Sequence, residues 1–286
     1  MASADHSFPD VKALAAPRSS RPILRGGHLL FLVNALVCLF LLAPILVVIV
    51  ASFSADQFMQ FPPSGWSLRW YHAFFNDRRL VDGLFLSATL AVVTALVAGV
   101  IGSLAAYALT RTRSRFTELI RSLHTAPLIT PGVVTGLAMM IYLGAIGLRG
   151  SFTALLIGHV VLSIPFVVMI VTAGLQSFDR AIEDAAVSLG ANRIVAFLTV
   201  TVPAVKVSMI SATLFAFLNS FDEVVVTLFL PGPRTKTLPV AMFDYVQHNL
   251  DPLPAAISTV LIAISLVIVF VGARFGTLGR MMGGSH

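Results

Sequence analysis

Charge is scarce in this sequence. Only 11% of its 286 residues are charged, against about 25% in an ordinary soluble domain. With 57% hydrophobic residues and a mean hydropathy of +0.91, the chain reads as a polytopic membrane protein. Cysteine is nearly absent: Cys38 stands alone inside the first apolar run. That excludes an intrachain disulfide and a cysteine-ligated metal site, and leaves the compartment unreadable from thiols. The patterns G-x-x-x-x-G-K-[ST], H-E-x-x-H and G-x-S-x-G are missing, so neither nucleotide hydrolysis nor zinc or serine hydrolase chemistry is signalled. Acidic residues are also few, 13 against 19 Lys and Arg, and the isoelectric point lies near 10.1. Nucleic acid is not implied as a partner. The basic residues sit at the ends of apolar blocks and form no patch.

What is present is length of apolar sequence. A helix needs about 20 apolar residues to cross a bilayer. Six blocks qualify: 28–53, 83–109, 122–147, 152–175, 205–230 and 255–275. The first follows a basic start, exceeds a signal peptide's apolar core and shows no small-residue cleavage site, so it reads as an uncleaved anchor. Pro127 and Pro131 should kink the third block, and Pro165 the fourth. The expected fold class is an all-α integral membrane protein. Its six-helix membrane domain spans 25–280, and the Ser-, Ala- and Pro-rich tail 1–24 is disordered or held loosely on the membrane surface. One set of connecting segments holds Lys12, Arg18, Arg21, Arg25, Arg111, Arg113, Arg115, Arg121, Arg180, Arg193, Lys206, Arg274 and Arg280. The other holds Arg69, Arg78, Arg79, Arg149, Arg234 and Lys236. This imbalance places both termini in the cytoplasm.

Two connections are more than turns. Segment 54–82, on the outer side, carries Trp66, Trp70 and Tyr71. These suit the membrane interface, or a docking surface for an extracytoplasmic partner. Segment 176–204, on the inner side, reads "QSFDRAIEDAAVSLGANRIVAFLTVTVPA". Ile182, Ala185, Ala186 and Leu189 fall at helical spacing, and Gly190 should end that helix. A second amphipathic piece, 192–200, runs to Pro203. A lipid-lying amphipathic helix would carry Lys and Arg on its polar face. This one carries Asp179, Glu183 and Asp184, with small residues that allow another backbone to approach.

The fifth block holds two acids in the run "FLNSFDEVVVTLF", at Asp222 and Glu223. An acid at a helix centre costs about 2.5–3.5 kcal/mol on insertion scales, and such residues face a cavity. Mapped at 100° per residue from Ser208, the residues Ser211, Phe215, Asn219, Asp222 and Glu223 fall in one polar arc. The bland reading is an internal network. The sharper one is a negative patch on a path for a cation, with Asp222 as contact and Glu223 as second contact or gate. Phe215 and Phe221 offer aromatic faces to an ammonium group. His159 reads as a hydrogen-bonded packing residue.

The inner segment resembles the loop of permease subunits of binding-protein-dependent ABC importers. That loop reads E-A-A, three residues, G, nine residues, I-x-L-P. Here Asp184, Ala185 and Ala186 are followed at the family's spacing by Gly190 and by Val200-Thr201-Val202-Pro203, with Glu183 one residue upstream. The segments "WSLRWY" and "NSFDEVVVTLFLPGP" look like the polyamine (spermidine/putrescine) branch, most of all its second permease. The resemblance covers about residues 28–275. It implies the type I importer permease fold in a bacterial inner membrane and no enzymatic activity in this chain. ATP and Mg would be bound by ATPase subunits, in two copies, that receive Glu183, Asp184, Ala185, Ala186, Gly190 and Pro203. It also implies a second homologous permease and an extracytoplasmic solute-binding protein. One departure is Gly132, where relatives often carry an acid after the proline. Two rival classes remain. One is an ion-coupled secondary transporter, which would not need the 184–203 loop. The other is a membrane hydrolase, which would need polar groups converging at one depth.

Overall fold

The computed structural model describes residues 27–112, 114–232 and 235–283. The tail 1–24 and the charges at Arg25, Arg113 and Arg234 used above lie outside the described residues. Two compact units divide the chain, 1–47 and 48–286. The described part of the first unit is most of helix α1 (Gly27–Ser52), which contains no charged residue and has mean hydropathy 3.0 over its span.

The second unit is helical. After α1 come α2 (Arg69–Asn76), α3 (Arg78–Arg111), α4 (Arg115–Ile129), α5 (Gly132–Ala145), α6 (Phe152–Gln176), α7 (Arg180–Ser188) and α8 (Arg193–Ala196). A π-helical turn, Phe197–Thr201, leads into α9 (Val202–Phe221). A 3-10 turn (Thr227–Phe229), α10 (Leu238–Val246) and α11 (Leu253–Gly283) complete it. Helix starts follow side-chain chemistry: Asp77, Ser114, Ser151, Asp179 and Asn192 each accept a backbone N–H of the first turn. Among the described residues five helices are long and apolar enough to cross a membrane, and six if the bent pair α4–α5 counts as one span.

That pair departs from the expected single kinked block 122–147. The two helices meet at 106°. Pro131 has no N–H, and both Thr130 and Pro131 take extended ψ of 132°, so the helical ladder stops and restarts. Pro127 and Pro165, by contrast, sit inside continuous helices.

The core lies where α3, α6 and α9 meet, around Ala91, Ala95, Ala98, Ala106, Val167, Val171, Ala212 and Ala216. Between membrane helices lipid is as apolar as a neighbour, so close van der Waals fit must hold them together. Glycine supplies the fit. A Cβ on Gly102 of α3 would lie 2.6 Å from Cγ1 of Val167 on α6, and one on Gly99 would lie 2.7 Å from Oγ1 of Thr213 on α9.

A second cluster joins α2, the start of α3, α10 and α11 through Trp70, Phe74, Leu80, Leu238, Leu253 and Ile257. Trp70 is only 8% exposed and Tyr71 shares a 2.7 Å hydrogen bond with Ser52 Oγ. These two rings therefore pack the protein rather than form an interface belt; Trp66, at 70% exposure, stays free for that role.

Candidate functional site

Two places concentrate polar chemistry, one at α7 and one just beyond α9.

The α7 helix forms where the spacing of Ile182, Ala185, Ala186 and Leu189 predicts it. Its exit is a Schellman motif: Gly190 N–H donates to the Val187 carbonyl and Ala191 N–H to the Ala186 carbonyl. Gly190 takes φ +101°, in the region glycine enters freely, and has open space around its Cα. The glycine is there for backbone conformation, with nothing among the described residues pressed against it. Ile182 is 53% exposed, Leu189 90% and Ile194 71%. Ala185 and Asp184 are exposed as well, and Asp184 is paired loosely with Arg180 at 3.7 Å. Pro203 is exposed in the first turn of α9. The result is an apolar and small-residue surface on a helix whose one buried side chain is a carboxylate.

That carboxylate is Glu183, which the motif grouped with residues facing a partner. The structure corrects this: it is 7% exposed and points into the bundle. Tyr107 Oη donates to Oε1 at 2.5 Å, and Arg111 Nη2 and Thr201 Oγ1 donate to Oε2, Thr201 at 2.7 Å. Tyr107 and Arg111 lie one turn apart at the end of α3, with the guanidinium over the phenol ring, 5.3 Å from its centroid. Burial pushes the Glu183 carboxyl up, but the three donors and the guanidinium charge outweigh it and hold the group below the usual carboxylate range. Beside this cluster opens a cavity of about 450 Å³, walled by Leu104, Tyr107, Arg111, Val187, Ile194 and Phe197 among others. Sequence reasoning missed Tyr107, Arg111 and Thr201. Arg111 was visible only as a charge at the end of a span.

The second place corrects the picture of acids in mid-helix. α9 ends at Phe221, not at 230, and Asp222 is its C-cap residue. Glu223 lies in the turn beyond, where its Oε1 accepts the Val226 N–H at 2.7 Å. The helical projection therefore does not apply to Glu223. Phe221 is 3% exposed and stacked on Phe217 with ring centroids 5.4 Å apart, so it belongs to the core and offers no face to a solute. Ser211, Phe215 and Asp222 are exposed and Asn219 half-buried. Phe215 leans on Phe166, and Asn219 Nδ2 donates to Ser163 Oγ at 3.4 Å.

His159 of α6 ties this turn down. It is 1% exposed; Nδ1 bonds Ser220 Oγ at 2.7 Å and Nε2 bonds Thr227 Oγ1 at 2.8 Å. Its partners bracket Asp222 and Glu223. Among the described residues no cluster of His, Cys, Asp or Glu could hold a metal ion. No lysine or arginine pairs with Asp222 or Glu223 among the described ion pairs.

Comparison with known proteins identifies the family. Residues 98–278 match the family model described as binding-protein-dependent transport system inner membrane component. The chain is 32% identical over 240 residues to the putrescine transport system permease protein PotI of Escherichia coli, covering 81% of this chain and 85% of that protein. It is 30% identical over 247 residues to the spermidine/putrescine transport system permease protein PotC of the same organism, covering 86% and 91%. In fold it resembles a chain of the bacterial alginate ABC transporter solved with an alginate pentasaccharide-bound periplasmic protein. That match has a TM-score of 0.67 at 15% identity and covers 89% of this chain and 94% of that one.

Proposed function

The chain belongs to the inner-membrane components of binding-protein-dependent transport systems, and from that premise we propose that it lines half of the path for a polyamine-type cation. It is a permease subunit of an ABC importer, a multi-pass inner-membrane protein without enzymatic activity of its own. The observation that carries the substrate class is the exposed Asp222 on the face of α9 that also shows Ser211 and Phe215. A carboxylate and an aromatic ring on one open face suit an alkylammonium. The relatives named for putrescine and spermidine transport support this reading.

The other half of the path comes from a second homologous permease. The end of the bundle that carries α7 faces the cytoplasm, where Arg111, Arg121, Arg180 and Arg193 gather. There the exposed face of α7, with Ile182, Ala185 and Leu189, enters a cleft of an ATPase subunit, two of which serve the complex and bind its ATP and Mg. The opposite end, with α2 and α10, receives the loaded solute-binding protein. Membrane lipid surrounds the rest.

The test is reconstitution of the chain with its companion permease, ATPase and binding protein in vesicles. ATP-dependent uptake competed by di- and triamines is the expected result. Uptake driven by a proton gradient without the ATPase would refute the importer reading. ATP-dependent uptake indifferent to amines would move the substrate to another small solute, an amino acid or opine-like compound.

A further inference from the structure

α7 is joined to the bundle in an uneven way. Its principal neighbours are α8 and the π-helical turn, both parts of its own loop. Its outer residues are exposed, and the only side chain it buries is Glu183. Among the described hydrogen bonds, α7 reaches α3 through that one carboxylate. The third donor, Thr201, is the last residue of the π-helical turn and the N-cap of α9. A π-helical turn is a rare insertion in a helix and a common marker of functional deformation. An ionised carboxylate is acceptor-only, with room for about four donors. Here it takes three, from Tyr107 and Arg111 at the end of α3 and from Thr201 at the N-cap of α9.

We propose that Glu183 is a positioning residue for energy coupling: it locks α7 to the end of α3 and to the base of α9, so that a push on α7 moves both helices as one. This rests on the reading that α7 receives the ATPase, and adds where its displacement goes. α9 carries Asp222 at its far end, and α3 packs against both α6 and α9 in the core. Without the lock, α7 hinges on its own loop, and its motion is spent between Phe178 and Thr201. Charge and geometry both serve this. A single hydrogen bond would yield under load. A largely buried ion pair, with two hydroxyl donors fixing the carboxylate plane, resists both rotation and withdrawal.

The experiment compares transport per ATP hydrolysed in the reconstituted complex, using whichever solute the unmodified complex imports. The variants are Glu183→Ala, Glu183→Gln, Tyr107→Phe and Thr201→Val. The expected result is that Glu183→Ala still co-purifies with the ATPase and still hydrolyses ATP, while solute moved per ATP falls tenfold or more. Tyr107→Phe and Thr201→Val each lower the ratio less, and Glu183→Gln, which keeps two acceptor positions on one oxygen, recovers part of it. Should Glu183→Ala fail to assemble, the two hydroxyl variants decide by the same ratio. An unchanged ratio in assembled Tyr107→Phe and Thr201→Val complexes, or uptake and hydrolysis falling together with the amount of complex, would overturn the proposal. Failure of the unmodified chain to co-purify with an ATPase would instead strike at the docking role of α7.

Discussion

Replacing His159 by leucine separates a structural role from a functional one. The imidazole is buried between Ser220 Oγ and Thr227 Oγ1, at 2.7 and 2.8 Å. A neutral ring has one donor and one acceptor nitrogen, and hydroxyls can serve either, so both partners are satisfied in both tautomers. Leucine is close in size, so cavity formation contributes little. What it leaves is two hydroxyls at 3% and 0% exposure without their partner. A buried orphan costs about 1–3 kcal/mol. Hydrogen bonds between membrane helices average nearer about 0.6 kcal/mol, because freed groups find other partners. Ser220 can turn back to the carbonyl four residues earlier in α9; Thr227, in a short turn, has less choice. The expected loss is about 1–3 kcal/mol, dominated by Thr227.

Membrane proteins commonly unfold irreversibly, so the assay is the half-life of the purified protein in detergent at fixed temperature. If the loss falls on the unfolding barrier, the half-life shortens roughly 5- to 150-fold. The decisive variant is His159→Leu combined with Ser220→Ala and Thr227→Val. Removing every member of a buried polar set is nearly neutral, whereas removing one is not. The combined variant should regain most of the lost half-life. Uptake should stay low in both, because the clamp that holds the turn bearing Asp222 and Glu223 is gone from both. A combined variant no longer-lived than His159→Leu alone would refute the orphan argument. Normal uptake in the combined variant would show that the clamp does not place the acids.

Asp222→Asn removes one exposed charge and should cut uptake of a dication about tenfold or more at low solute, since an ion pair at 4 Å in an effective dielectric of 20 is worth about 4 kcal/mol before screening; normal uptake with normal assembly would return Asp222 to a structural role. Gly190→Ala meets no neighbour but must hold φ +101°, so about 1 kcal/mol or more of backbone strain should weaken ATPase co-purification, with Gly190→Asn milder; equal behaviour of both variants and the unmodified chain would contradict this. Gly102→Ala places a methyl 2.6 Å from Val167 and should shorten the detergent half-life through about 1–3 kcal/mol of overpacking. The Glu183 carboxyl lies below its usual range, so its stabilisation is present above the unfolded value near 4.3 and is lost as pH falls through the lower folded value. The stability advantage of the native chain over Glu183→Gln should thus be flat from pH 8 to about 5 and shrink only in stronger acid; a change centred near pH 6–7 would refute that assignment.

Spans and the α7 loop were legible because both are written in local periodicity. Hydropathy marks each crossing, and the run from Asp184 to Pro203 carries its spacing in consecutive residues. The end of α9 was not legible. Between Phe217 and Phe229 there is neither Gly nor Pro, and the apolar run continues, so neither of the usual breakers marks the end of the helix. It is stopped by the Glu223 side chain taking the Val226 N–H and by His159, 61 residues from Ser220, gripping both flanks. The His159 part of that cause lies on another helix and leaves no trace in a sliding window. The third block was half legible: proline announced a bend, but 106° needed Thr130 and Pro131 both to leave the helix.

The two acidic pairs, Glu183–Asp184 and Asp222–Glu223, pose one problem that sequence alone leaves open. Neighbours on a helix point about 100° apart, so only one of two adjacent carboxylates can face the bundle. Which one depends on what waits there. At α7 the inward direction holds Arg111, 72 residues away, and Glu183 takes it, leaving Asp184 outside with Arg180. Beyond α9 the described bonds bring no cation, and the two acids separate by another rule: Glu223 folds back onto the Val226 N–H, and Asp222 stays open. A carboxylate with a local donor is already satisfied. One without keeps its charge available, and that makes Asp222 the better candidate for a cationic solute.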